Sequence, residues 1–279
     1  MILIADSGST KTDWWLSAAD GSTKGTLMTT QGMNPFHQDE QQLSAVLTTE
    51  LLPQLASRLP KHIYFYGSGC TKEMAPTMRR VLKAAMPEAQ TIDANSDMLG
   101  AARAVCGRSE GIVCILGTGA NSCLYNGHDI VANTPPLGYI LGDEGSGAVI
   151  GKNFINAMYR GMLPKAVAED FEREQQLTMA QVMDHVYRQP LPNRFLASMS
   201  PFIHQHLDVK EVRSLVTECL QKFIRTNLRQ YGKPHLPIGA VGSIAYHYRQ
   251  LLHEAALGEG FTTGRILKSP VKGLIEYHC

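Results

Sequence analysis

The feature that most constrains this 279-residue chain is a local pattern that occurs twice. Met1–Ala5 is a short apolar run, Asp6–Asp13 (DSGSTKTD) a hydroxyl-rich turn, and Trp14–Ala19 a second apolar run. Asp20-Gly21 is a hairpin signal and Lys24–Thr30 a third strand-like run. Short apolar runs closed by turn residues read as strands, and an Asx-Gly pair supplies the positive φ that a tight hairpin needs. At Gly111 the order begins again: Ile112–Leu116, the turn Gly117–Asn121 (GTGAN), Ser122–Tyr125, the Asn126-Gly127 hairpin, and His128–Asn133. Two copies, each about a domain long, predict two similar domains rather than a solenoid, with their polar turns facing across a cleft.

Helices and strands alternate after each opening. Gln38–Leu59 has helical apolar spacing, interrupted near Pro53. His62–Tyr66 is a strand ended by Gly67-Ser68-Gly69, and Thr71–Met86 is a helix for which Thr71 is the expected N-cap. Gln90–Asp93 is a strand, and Asn95-Ser96-Asp97 opens a small-residue helix through Val105. In the second half a Pro/Gly-rich loop, Thr134–Gly147, leads into helices from Ala148 to about Tyr231, broken near Pro164, Pro190, Pro192 and Pro201. Pro237–Val241 and Phe261–Ile266 read as strands, Gly242-Ser243 starts a helix through Ala256, and Pro270–Tyr277 is a short terminal helix. The fold class is therefore α/β, with domains 1–108 and 109–279. The second carries a helical insertion at about 150–232, and residues 270–279 are expected to pack back on the first.

A net charge of +1 gives no electrostatic case for nucleic acid or an anionic membrane surface. Met1 leads straight into a strand without a signal peptide, and no apolar run is long enough to span a bilayer, so the expected location is cytoplasmic. The six cysteines contain no Cys-x-x-Cys pair, which argues against a zinc ribbon or a disulfide framework. A homodimer is the one assembly considered, because twofold dimers are common.

Turns of Gly, Ser and Thr present backbone N–H groups and hydroxyls that suit phosphate, and Asp6 could hold a metal ion travelling with it. The bland alternative is a polar hairpin. A Walker A loop fails, because Gly8–Thr12 lacks the second glycine before Lys11 and a strand follows. A dinucleotide fingerprint fails at Gly117-x-Gly119, where neither a third glycine nor a helix follows. Two phosphate-cradling hairpins survive, with a candidate nucleotide-base site at Gly242-Ser243. The ten histidines form no His-Glu-x-x-His pattern, and no catalytic metal held by the protein alone is assigned.

Four segments in order, Asp6–Asp13, Leu116–Ser122 (LGTGANS), Leu141–Gly147 (LGDEGSG) and Ala240–Ala245 (AVGSIA), resemble one family over essentially the whole chain. It is the N-acetylglucosamine kinase family, which includes BadF/BadG/BcrA/BcrD-type ATPases, within the actin, sugar kinase and heat-shock-protein superfamily. The first turn is widely shared; Gly-Thr-Gly-x-Asn followed by Gly-Asp-Glu-Gly-Ser is more specific. The resemblance implies two ribonuclease-H-like domains with ATP in the interdomain cleft, Mg²⁺ as the accompanying ion, and an amino sugar as acceptor. N-acetylglucosamine is the first expectation, with N-acetylmuramic acid or glucosamine behind it.

Roles follow residue by residue from that resemblance. Asp97 is the implied general base; the alternative is that Asn95, Ser96 or Asp97 merely caps a helix. Asp143 is implied to bind sugar hydroxyls, or else caps the helix that begins near Ser146. Asn34, Ser68, Gly117, Thr118 and Asn121 complete the implied sugar contacts, although Asn34 and Ser68 also suit ordinary turns. Asp6 would orient Mg²⁺ mainly through water, and Gly8, Ser9, Thr10, Lys11, Thr12, Thr118 and Gly119 would contact phosphate. Lys11 also reads as a solvated turn lysine. Two other functions are weighed: an ATP-driven activator of a reductase with an iron–sulfur cluster, for which the expected cysteine context is missing, and a non-catalytic sugar or nucleotide sensor.

Overall fold

The computed structural model describes residues 1–8, 10–18 and 24–279, so Ser9 and the Asp20-Gly21 hairpin signal lie outside the described residues. The chain divides into two compact units. Unit 1 comprises Met1–Ser109, Gly127–Asp129 and Ser269–Cys279; unit 2 comprises Glu110–Asn126 and Ile130–Lys268.

The repeat in the sequence is a repeat in topology. Unit 1 holds β1 (Ile2–Ser7), β2 (Lys11–Ser17), β3 (Gly25–Gln31), β4 (His62–Gly67) and β5 (Thr91–Ser96), in the order β3-β2-β1-β4-β5. Unit 2 holds β6 (Glu110–Leu116), β7 (Ala120–Asn126), β8 (Ile130–Thr134), β9 (Ile238–Val241) and β10 (Thr263–Leu267), in the order β10-β9-β6-β7-β8. Each sheet has an antiparallel three-strand meander on one side and two parallel strands on the other. Parallel neighbours need crossovers, which here are helical.

Sheet register lines up the polar residues of unit 1. Asp13, Asp6, Tyr66 and Asn95 are successive partners across β2, β1, β4 and β5, and Ser7, Gly67 and Ser96 form the next row. Below them the core is apolar: Leu3, Ala5, Leu16, Ile63 and Phe65 are buried with Trp14, whose Nε1 donates to Thr30 Oγ1 at 3.0 Å. That bond satisfies the one polar atom of a large buried ring.

Differences from the sequence expectations have local causes. The helix expected to break near Pro53 instead widens before it: Glu40–Val46 passes through a π turn, Leu47–Leu51, into Leu52–Leu55. Proline has no N–H to give the carbonyl four residues back, and the wider turn lets Leu52 N–H reach Leu47 O. The helix expected from Thr71 begins at Ala75 with Pro76 in its first turn; the Thr71 carbonyl closes the preceding turn, accepting from Met74 and Ala75. Beyond Ser243 the helix divides into Ser243–His247 and Arg249–Gly258, meeting at buried Tyr248. In unit 2 the helices Gly147–Tyr159, Lys165–Gln175, Ser200–Gln205 and Lys210–Phe223 bury Phe154, Phe171, Phe202 and Phe223 in one core with β6 and β9.

Candidate functional site

Within unit 1 the candidate residues gather at the carboxyl ends of β1, β4 and β5. Asp6 is partly buried, and its pKa is raised to about 7, first by loss of water and then by the charges of Asp97 and Asp13. Lys11 and a hydrogen bond from the Ser269 hydroxyl act in the opposite direction. The Lys11 ammonium pairs with Asp13 at 2.7 Å, and Asp13 also accepts from Thr29 Oγ1 at 3.0 Å. Gly8 N–H donates to the Lys11 carbonyl at 3.0 Å and closes the turn, while Thr10 O accepts from Gly32 at 3.1 Å. The Thr12 side chain points inward: its hydroxyl lies 2.7 Å from Ser7 Oγ and donates to Gln31 O at 3.2 Å.

Asn34 and Ser68 flank this group. Asn34 Oδ1 accepts from Phe36 N–H at 3.0 Å, and Ser68 N–H donates to Ser7 O at 2.9 Å. Asn34 and the turn after β4 touch, since a Cβ on Gly69 would lie 2.0 Å from Asn34 Oδ1. Asp97 is the first residue of the helix Asp97–Cys106, and the cap is Ser96, whose hydroxyl accepts from Leu99 N–H at 3.2 Å. Asp97 Oδ1 accepts from Met98 N–H at 2.8 Å. Burial raises the Asp97 pKa against that bond, which favours the carboxylate.

Three carboxylates with one lysine between them are short of positive charge. A hard cation with oxygen ligands fits that shortage, and Mg²⁺, which keeps much of its water, suits a site with few protein ligands. Without one, Asp6 titrates between an unfolded value near 3.8 and about 7. In that interval the folded chain holds a proton that the unfolded chain has released, so stability falls as pH rises. Asp6→Asn is expected to be neutral near pH 4 and stabilising by about 2–3 kcal/mol at pH 8, less than the full shift because Asp6 keeps some solvent contact. Thermal melts of both proteins without divalent cation test this; parallel curves across the range would contradict it.

Within unit 2 the second polar turn meets the Pro/Gly-rich loop. Gly117 N–H donates to Gly119 O at 3.0 Å, and the Gly117 and Thr118 carbonyls accept from Gly147 and Ala148 at 2.8 and 3.2 Å. Those donors open the helix Gly147–Tyr159, whose cap is Ser146, so Asp143 does not cap it. Asp143 adopts φ 54°, a left-handed conformation uncommon outside glycine. Burial raises its pKa, opposed by a hydrogen bond from Ala120 N–H. A Cβ on Gly119 would sit 3.0 Å from Asp143 Oδ2, so turn and carboxylate are in contact. Asn121 Oδ1 accepts from Ser122 N–H at 2.8 Å and from Asn133 Nδ2 at 3.0 Å. Gly242 follows β9 beside Leu116, and Ser243 begins the helix Ser243–His247.

Each unit therefore collects its own motif segments: Asp6–Thr12, Asn34, Ser68 and Asp97 in unit 1, and Gly117–Asn121, Asp143 and Gly242-Ser243 in unit 2. Two neighbours of Asp6 escaped the sequence reading. Asp13 closed the motif without an assigned role, although its opposition to Asp6 follows from the hairpin register. Ser269 carries no sequence signal linking it to Asp6. Among the described residues no group of three or more His, Cys, Asp and Glu side chains is placed to hold a metal ion directly.

No protein-family model matches the chain, and no curated protein matches it at the level of significance required. Solved structures do. A proposed N-acetylglucosamine kinase from Porphyromonas gingivalis is 50% identical, with 100% of this chain and 98% of that one covered and a TM-score of 0.93. A proposed N-acetylglucosamine kinase from Chromobacterium violaceum is 16% identical, covering 99% and 98%, with a TM-score of 0.63. A ROK family glucokinase from Streptomyces griseus, solved with glucose and AMPPNP, is 10% identical, covering 99% and 97%, at 0.56. The last two show the actin-like, two-domain fold alone.

Proposed function

Since the chain belongs to the N-acetylglucosamine kinase family, we propose that it transfers the γ-phosphoryl group of ATP to a hydroxyl of N-acetylglucosamine or a closely related amino sugar. The likeness at 50% identity over the full chain carries this reading. In the reaction, Asp97 accepts the proton of the acceptor hydroxyl as its oxygen bonds to the γ-phosphorus. The bond from that phosphorus to the β–γ bridging oxygen breaks, and ADP leaves. Burial supports Asp97 in the role, because a carboxylate shifted upward is the stronger base. Asp143 offers an acceptor carboxylate to sugar hydroxyls, with Asn34, Ser68, Gly117, Thr118 and Asn121 as further sugar contacts.

Gly8, Ser9, Thr10, Lys11, Thr118 and Gly119 are the proposed phosphate contacts, with Thr12 supporting the turn from inside through its hydroxyl's bonds to Ser7 and Gln31, and Gly242 and Ser243 flank the nucleotide base. Lys11 spends one of its three ammonium donors on Asp13 and offers the others to phosphate. Asp6 would hold Mg²⁺, mainly through water, and the ion would supply neutralisation of charge on the phosphates. The expected surroundings are cytoplasmic, where ATP is supplied. A coupled ADP-release screen against hexosamines and N-acyl sugars tests the reading; turnover stimulated by no sugar in the panel would reject it. In the same assay Asp143→Asn is expected to raise the acceptor KM about 10- to 100-fold, the loss of one charged hydrogen bond, with the ATP KM unchanged.

A further inference from the structure

The terminal segment Ser269–Cys279 belongs to unit 1, where the helix Val271–His278 lies along Asp97–Cys106. Gly273 is the point of closest approach: a Cβ there would fall 2.2 Å from the Ala104 carbonyl oxygen, so the two backbones touch. At the far end of the terminal helix His278 stacks on Tyr64, with ring centres 3.7 Å apart and planes at 18°. Its Nε2 lies 2.8 Å from Tyr66 Oη, and Arg103 Nη1, from the helix that begins with Asp97, donates to the same oxygen at 2.8 Å.

Arginine only donates, so Tyr66 Oη accepts from Arg103 Nη1, and the His278 tautomer sets which of Tyr66 Oη and His278 Nε2 donates in the second bond. Burial, aided by Arg103, holds the His278 pKa down at about 4, which keeps the imidazole neutral at neutral pH. Arg103 also sits over the rings of Tyr66 and Tyr277, at 5.8 and 5.2 Å, and lies 3.8 Å from Asp93. Tyr66 touches the same helix again, since a Cβ on Gly100 would be 2.8 Å from Tyr66 Cβ.

Apolar packing alone would hold two helices together. A half-buried Arg–Tyr–His chain costs desolvation, and Arg103 Nε is left buried without a partner. What such a chain adds is one defined geometry. Asp97 and Arg103 share one helix, so a slide or roll of that helix on Tyr66 displaces the Asp97 carboxylate directly.

We propose that Tyr66, Arg103 and His278 are positioning residues for phosphoryl transfer, and that the terminal helix is the strap that fixes the register of Asp97–Cys106 and with it the Asp97 carboxylate. The inference rests on Asp97 being the general base. It gives the last residues of the chain a part in the rate of reaction as well as in stability.

The test uses full-length Tyr66→Phe, His278→Ala and His278→Gln, with Asp97→Asn as reference, and active sites counted by ADP titration. Tyr66→Phe removes one hydroxyl from an otherwise identical ring. It and His278→Ala are expected to lower kcat per nucleotide-binding site about tenfold or more, as small misplacements of a reacting group do, with the ATP KM within about twofold. His278→Gln keeps a side-chain acceptor for Tyr66 and is expected to recover most of the rate. If both losses lower the melting temperature while kcat per site stays at the wild-type value, the role is structural only and the proposal falls. Asp97→Asn separates the two questions. Retained turnover there rejects the base assignment itself; an inactive Asp97→Asn beside a fully active Tyr66→Phe rejects only the strap.

Discussion

Asp97→Asn is expected to reduce sugar-dependent ADP formation by about 10²- to 10⁴-fold, roughly 3–5 kcal/mol in the barrier, while ADP binding is unchanged. The substitution isolates the chemistry. Asparagine keeps an oxygen that can accept from Met98 N–H, the bond Asp97 Oδ1 makes at 2.8 Å. The helix keeps its cap, because that role belongs to Ser96. Stability is expected to hold or rise, since the ionised carboxylate is disfavoured by burial and the amide carries no charge. A folded protein that binds nucleotide and does not turn over is therefore the expected result. Coupled ADP release and an ADP titration on the same preparation check it, and wild-type turnover in the variant would remove Asp97 from the mechanism.

What could be read from the sequence was local, repeated or both. The strand–turn–strand openings carry their own punctuation, and two copies of one weak signal led to matching sheets. The Asp97 helix was legible because Asn95-Ser96-Asp97 places a cap before small apolar residues; the cap proved to be Ser96. Thr71 was misread because a threonine just ahead of a helical run resembles a cap. Pro76 instead stands in the first turn of a helix that begins at Ala75, where its missing N–H leaves no bond unmade. The π turn ahead of Pro53 was not legible, since proline signals a disturbance without saying how the backbone absorbs it. Contacts between distant segments were out of reach. Tyr66 and His278 are 212 positions apart, and neither residue type announces a buried hydrogen bond. Ser269 is hidden in the same way: Ser-Pro ahead of a helix reads as a turn, and only the folded chain brings its hydroxyl to Asp6.

Gly242 is where a single methyl group is expected to do the most damage to unit 2. The residue has φ 121° and ψ 163°, a region essentially restricted to glycine, where any other residue carries about 1–3 kcal/mol of strain. A Cβ there would also lie 2.2 Å from the Leu116 carbonyl oxygen and 2.8 Å from its carbon. Backbone cannot rotate aside as a side chain can, so β6 and the turn after β9 must separate. Overpacking of this kind adds roughly another 1–3 kcal/mol or more. Gly242→Ala is thus expected to cost about 2–6 kcal/mol, a large share of the stability of an ordinary domain. The displacement runs toward function as well, because Leu116 leads into the Gly117–Gly119 turn and Gly242 N–H is tied to Leu267 O at 3.0 Å. Urea unfolding should show an early transition in the variant, and the fraction that remains folded should bind ADP more weakly. Wild-type stability with unaltered ADP affinity would mean that the turn after β9 adapts, and that its glycine serves neither packing nor nucleotide.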